Sequence, residues 1–122
     1  AKVGLAFFWP QLERQVIIKG EAVKLSSQAS DSYFKSRPKG SQIGAIVSDQ
    51  SKVISDRSIM EAKLEALEIE YAEKEVPRPE HWGGYVVKPQ CIEFWQGRPN
   101  RLHDRMRCQL QGNFWNIERL AP

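Results

Sequence analysis

What this 122-residue chain has little of removes several classes of protein. No apolar run approaches the roughly 18 residues of a membrane-spanning helix, so none is expected within these residues. No basic segment followed by an apolar one opens the chain, and no secretory leader is expected. The two cysteines, Cys91 and Cys108, form no CxxC pair and have no histidine at metal-ligand spacing. That argues against a zinc site or a disulfide framework and for a reduced pair in a cytoplasmic protein. No Walker loop and no Ser-His-Asp order occurs. The net charge is only +3, without a long Lys/Arg run, which is a poor footprint for nucleic acid.

What is present is the composition of a packed protein: 41% hydrophobic and 27% charged residues, with four tryptophans. The length fits one domain, 1–122. "VGLAFFW" (3–9) is an apolar run suited to a buried strand, and "RQVIIKGEAVKL" (14–25) alternates with β-branched residues, so 1–25 is predicted as a β-hairpin. A core strand this close to the start predicts a chain that begins inside a fold. Helices are predicted over 26–75: one from a Ser cap at 26 to 37, one opened by Pro38, and one over 58–74 capped by Asp56 or Ser58. After the proline-rich connector 76–84, the runs "YVVKP", "CIEFWQG", "LHDRMRCQL" and "FWNIERL" predict a four-stranded antiparallel meander over 82–122. The order of hairpin, helices and meander predicts an α+β, mainly β fold or a small barrel.

The residues with chemistry gather in "RPNRLHDR" (98–105). If 101–106 is extended, Arg101, His103 and Arg105 share one face and Leu102, Asp104 and Met106 the other. Trp95 lies across the tight turn. Guanidiniums, an imidazole and an indole suit a planar anion, since arginine offers paired donors and tryptophan a stacking wall. The same face also fits a solvated basic strand or an RNA-binding β-surface. Tyr33, Arg37 and Ser41 stand four residues apart, a spacing that puts them on one side of successive helical turns. His81 beside Trp82 reads as a structural loop residue.

Together, "IEFWQGRPNRLHDR" (92–105), "WGGY" (82–85), "ERLAP" (118–122), "ERQV" (13–16), "YFKSRPKGSQIGA" (33–45) and "SDQS" (48–51) closely resemble, in order, the C-terminal half of the pyridoxamine 5'-phosphate oxidase family. The resemblance implies an FMN-binding split β-barrel with flanking helices, its N-terminal strands absent from this chain. It implies a homodimer with FMN at the subunit interface. It also implies oxidation of pyridoxine 5'-phosphate or pyridoxamine 5'-phosphate to pyridoxal 5'-phosphate, with O2 as acceptor and H2O2 released. By the same resemblance Gln15, Gln50, Ser51, Trp95 and Arg105 are FMN contacts, and Tyr33, Arg37 and Ser41 clamp the substrate phosphate. Arg101, Leu102 and His103 bind the substrate ring, with Arg101 and His103 as the catalytic pair. No metal is implied. The family's N-terminal half carries the main ligands of the FMN phosphate, so the partner expected here is that missing half, and the chain alone is expected to bind FMN poorly. The alternatives are a non-catalytic split-barrel module that binds RNA or another anion, and a related flavin oxidase such as one of phenazine biosynthesis.

Overall fold

The apolar opening run forms β1 (Lys2–Trp9) and the β-branched run after it β2 (Arg14–Lys24), joined by a single 3₁₀ turn at Pro10–Leu12. They pair antiparallel from Lys2↔Glu21 to Trp9↔Arg14. This computed structural model describes residues 1–122, and the chain divides into two units, Ala1–Val23 with Tyr85–Pro122 and Lys24–Gly84.

The first unit is a five-stranded sheet in the order β1-β2-β3-β4-β5, completed by β3 (Tyr85–Gln96), β4 (Asp104–Gln111) and β5 (Phe114–Leu120). β3 and β4 pair antiparallel from Cys91↔Gln109 to Gln96↔Asp104, and β4 and β5 from Arg105↔Leu120 to Gln111↔Phe114. Gly20 of β2 is buried, and a Cβ there would collide with the Lys88 carbonyl of β3, so close approach of the two strands requires glycine. Gly20 lies beside Lys88 while the Gly97 N–H donates to Glu13 O at 2.7 Å, so residue numbers rise along β2 as they fall along β3, and this pair is antiparallel too.

The second unit is helical. α1 (Ser27–Ser36) is capped by Ser26, whose hydroxyl accepts from the Ala29 N–H at 3.2 Å. α2 (Lys39–Val47) follows Pro38, and α3 (Ser58–Glu70) starts where Asp56 Oδ1 accepts the Ser58 N–H at 2.7 Å. Its core is Phe34, Ile43 and Val76, against which Leu64, Leu67, Tyr71 and Trp82 pack. Arg78 ties down the connector: its Nε lies 2.5 Å from Asp31 Oδ1, and its guanidinium donates to the Trp82 carbonyl.

Three details differ from the sequence reading. The meander has three strands, because β3 runs unbroken through Pro89. Proline is compatible with extended backbone, and its cost in a strand is one ladder donor. α3 ends at Glu70 and passes into a turn. β4 begins at Asp104, two residues later than expected, because 99–101 form a 3₁₀ turn with Asn100 at φ 59° and Arg101 at φ 61°.

Candidate functional site

The candidate residues divide between the units. Gln15, Trp95, Arg101, Leu102, His103 and Arg105 belong to the sheet unit, and Tyr33, Arg37, Ser41, Gln50 and Ser51 to the helical one.

In the sheet unit the turn between β3 and β4 determines the geometry. Arg101 and His103 precede the strand, so the alternation that would align them with Arg105 does not operate. Left-handed backbone at Asn100 and Arg101 instead folds the turn back on itself, and the Arg98 N–H donates to His103 Nδ1 at 3.0 Å. The His103 ring also lies on Trp95, with centroids 4.9 Å apart. The Arg98 side chain donates to Asp104 Oδ2 at 2.8 Å, and Arg119 of β5 donates to Asp104 Oδ1 at 2.9 Å. The hydrogen bond from Arg98, reinforced by both positive charges, holds the Asp104 carboxyl below its ordinary range. The ion pairs of this region engage Arg98, Arg105, Arg107 and Arg119; Arg101 is in none of them and is exposed, as is Leu102.

Trp95 and Arg105 are direct cross-strand partners. Gln15 and Trp95 line a cavity of about 480 Å³ with Trp9, Phe94 and Met106, a mostly apolar space edged by Arg14, Gln96 and Asp104. Arg105 lines a different cavity of about 390 Å³, with Lys19, Glu93 and Arg107 among its walls. Its Nε donates to Glu93 Oε1 at 2.8 Å and its Nη1 to the Ala121 carbonyl at 2.9 Å. The Glu93 hydrogen bond raises the guanidinium's pKa and also offsets much of its charge.

In the helical unit, Trp82 is the organising residue. Tyr33 stacks on it with ring centroids 6.0 Å apart, Arg37 lies 5.1 Å above it, and Phe34 meets it edge-on at 5.0 Å. Arg37, Ser41 and Gln50 line one cavity of about 520 Å³ with His81 and Trp82. The equal spacing of Tyr33, Arg37 and Ser41 is not that of one helix: α1 ends at Ser36, Arg37 is extended, and α2 restarts at Lys39. Pro38 enforces the break, since a residue before proline is pushed out of the helical region. Ser51 is exposed, with a left-handed φ of 67°. Sequence reading missed Trp82 as a platform, and the only signal for it was an aromatic residue beside a glycine pair.

Residues 1–71 match the family described as pyridoxamine 5'-phosphate oxidase, and residues 82–122 match the pyridoxine 5'-phosphate oxidase C-terminal dimerisation region. The chain is 60% identical over 119 residues to a pyridoxine/pyridoxamine 5'-phosphate oxidase of Flavobacterium psychrophilum, covering 97% of this chain and 56% of that protein. It is 58% identical over 118 residues to the protein of the same name from a Cyanothece species, covering 97% and 55%. It thus spans about half the length of these curated relatives. Among solved structures, PhzG from Burkholderia lata 383, in complex with tetrahydrophenazine-1-carboxylic acid, superposes with a TM-score of 0.88 at 29% identity, covering 99% of this chain and 59% of that one. The α+β, split-barrel fold class expected from the sequence is borne out by that match.

Proposed function

The chain belongs to the pyridoxamine 5'-phosphate oxidase family, and from that premise we propose that it forms part of an FMN-dependent oxidase acting on pyridoxine 5'-phosphate or pyridoxamine 5'-phosphate. The product is pyridoxal 5'-phosphate, O2 is the acceptor, and H2O2 is released. The relatives at 58–60% identity bear that name, whereas the phenazine-linked neighbour stands at 29%, which favours the B6 substrate over a phenazine precursor.

The observation that carries this reading is the cavity shared by Arg37, Ser41 and Gln50 beside Trp82. A phosphate monoester needs paired donors and positive charge, and Arg37, held over the indole, supplies both in a restrained geometry. Ser41 adds a hydroxyl donor, and Tyr33 stacks on the same indole. This clamp holds the non-reacting end of the substrate, and its binding energy fixes the pose of the reacting end.

The donor set also fits FMN. Planar aromatic groups bind in largely apolar cavities with a few fixed polar atoms, and the space walled by Trp9, Phe94 and Trp95, with the Gln15 amide at its edge, has that character. Gln15 and Trp95 would hold the ring there, while Arg105, which lines the other cavity, and Gln50 and Ser51 of the helical unit are FMN contacts only by the family resemblance. FMN, when bound, supplies the capacity to accept a hydride. The protein's share is orientation: Trp95 packs against His103, Arg101 presents an unpaired guanidinium to the substrate ring, and His103 presents a ring nitrogen. Two of the four non-glycine residues with positive φ, Ser51 and Arg101, are among these candidates, and such backbone strain concentrates where function over-determines geometry.

Residues 82–122 match a dimerisation region and expose Phe94, Phe114 and Ile117 at 47%, 62% and 63%, which supports a homodimer. No helix is long and apolar enough to cross a membrane. The test is equilibrium binding to the native polypeptide that carries this chain. Pyridoxal 5'-phosphate should bind far tighter than pyridoxal, and Arg37→Ala should erase most of that difference. Equal affinity for the two vitamers in the unaltered protein would refute the clamp.

A further inference from the structure

Asp104 stands between two arginines, and the chain uses both of its carboxylate oxygens. Oδ2 accepts from Arg98 at 2.8 Å, in the turn, and Oδ1 accepts from Arg119 at 2.9 Å, on β5. The three side chains are 57%, 41% and 66% exposed, so these pairs add little to stability. Their effect is on position. Arg98 is the residue whose backbone N–H meets His103 Nδ1 at 3.0 Å, and its side chain is anchored one residue beyond that histidine. The turn in between has two consecutive left-handed residues, Asn100, which adopts that region readily, and Arg101, which holds it only when its surroundings impose it.

A nitrogen that accepts a hydrogen bond carries no proton, so in the neutral ring the His103 proton sits on Nε2. Trp95 covers the ring from one side at 4.9 Å, leaving Nε2 as the edge that can donate.

We propose that Asp104 is a positioning residue: by gripping Arg98 and Arg119 it holds the 98–103 turn so that the Arg98 N–H fixes His103 as an Nε2–H donor toward the substrate's polar edge. The tautomer part stands on geometry alone. The substrate part rests on the oxidase reading.

The test uses the protein that carries this chain, labelled with ¹⁵N-histidine, with His103 assigned by the signals lost in His103→Gln. At a pH where the ring is neutral, Nδ1 should be of the unprotonated type, Nε2 of the protonated type, and a scalar coupling should connect the Arg98 amide to Nδ1. In Asp104→Ala the coupling should vanish and the two nitrogen shifts should move toward the average of the tautomers. Asp104→Glu should restore both, and thermal melting should stay close to wild type throughout. If Asp104→Ala does not fold, Arg98→Ala keeps the backbone N–H, removes the grip and decides by the same signals. A proton on Nδ1 in the unaltered protein, or a folded Asp104→Ala with the coupling intact, overturns the proposal. In turnover of pyridoxine 5'-phosphate by flavin-saturated protein, Asp104→Ala should lower kcat/KM on the order of tenfold or more. A protein that shows the tautomer but turns over no B6 phosphate overturns the oxidase reading and leaves the tautomer assignment standing.

Discussion

Replacing Trp82 by alanine should damage stability and phosphate binding together, for one geometric reason. The indole meets the buried Phe34 ring edge-on at 5.0 Å, stacks with Tyr33 at 6.0 Å, and supports Arg37 at 5.1 Å. Full burial of an aromatic side chain makes its removal cost roughly 3–5 kcal/mol. Trp82 is only half-buried, which puts the packing loss near the bottom of that range, at about 3 kcal/mol. The edge-to-face pair accounts for roughly 1 kcal/mol of this, and the half-buried cation–π contact for about 0.5–1 kcal/mol. Trp82→Phe keeps the ring face and should cost only about 1 kcal/mol. Urea unfolding followed by far-UV circular dichroism, which reports the helices, measures this directly. With an m-value of about 2 kcal/mol/M, Trp82→Ala should lower the midpoint by roughly 1.5 M and Trp82→Phe by about 0.5 M. The alanine variant should also lose affinity for pyridoxal 5'-phosphate, since Arg37 loses its support. A Trp82→Ala protein that unfolds at the wild-type midpoint would refute the reading of Trp82 as the platform of this unit.

Gly20→Ala should cost about 3 kcal/mol in chemical denaturation, because its methyl group would strike the Lys88 carbonyl and cannot be relieved by rotating a side chain. Asn100→Val should lose roughly 1–2 kcal/mol by forcing a β-branched residue into left-handed backbone, whereas Asn100→Gly should stay within about 1 kcal/mol of wild type in the same assay. Acid should modestly destabilise the protein through carboxylates whose pKa is lowered in the fold: Glu118 by Arg107 and Asp56 by hydrogen bonds from Ser58, with Asp104, lowered by the Arg98 hydrogen bond, adding little. A lowered folded pKa contributes stability above the ordinary carboxylate value that is lost as pH falls through the folded value. Thermal melting should therefore be flat from neutral pH to about pH 5 and fall toward pH 3. A melting temperature that rises on acidification would contradict the sign.

Much of this fold is legible in local chemistry. The Ser26 cap, the Pro38 break, the Asp56 bond that starts α3 and the β-branched run of β2 are each decided within a few residues, so pattern reading finds them. What it misreads depends on partners distant in sequence. Pro89 looks like a strand end, but β3 continues through it because β2 supplies a glycine opposite the close approach. Alternation across 101–106 fails for a reason local sequence does not show: Arg101 takes a left-handed backbone that few L-residues adopt unless the fold imposes it. Composition marks the cluster of cations beside Trp95, but which cation is free and which is already paired depends on Glu93 and Asp104 reaching across the sheet. Arg101 is unpaired and Arg105 is bound to Glu93, and that division of roles comes from register, since Glu93 lies diagonally across the ladder from Arg105.

The central claim is oxidation of a phosphorylated B6 vitamer through a bound flavin, and the absorbance spectrum of the native polypeptide carrying this chain tests it most directly. The account predicts flavin bands that bleach on addition of pyridoxine 5'-phosphate without oxygen and return when oxygen is admitted. A colourless protein, or flavin bands that pyridoxine 5'-phosphate leaves unchanged, would contradict it.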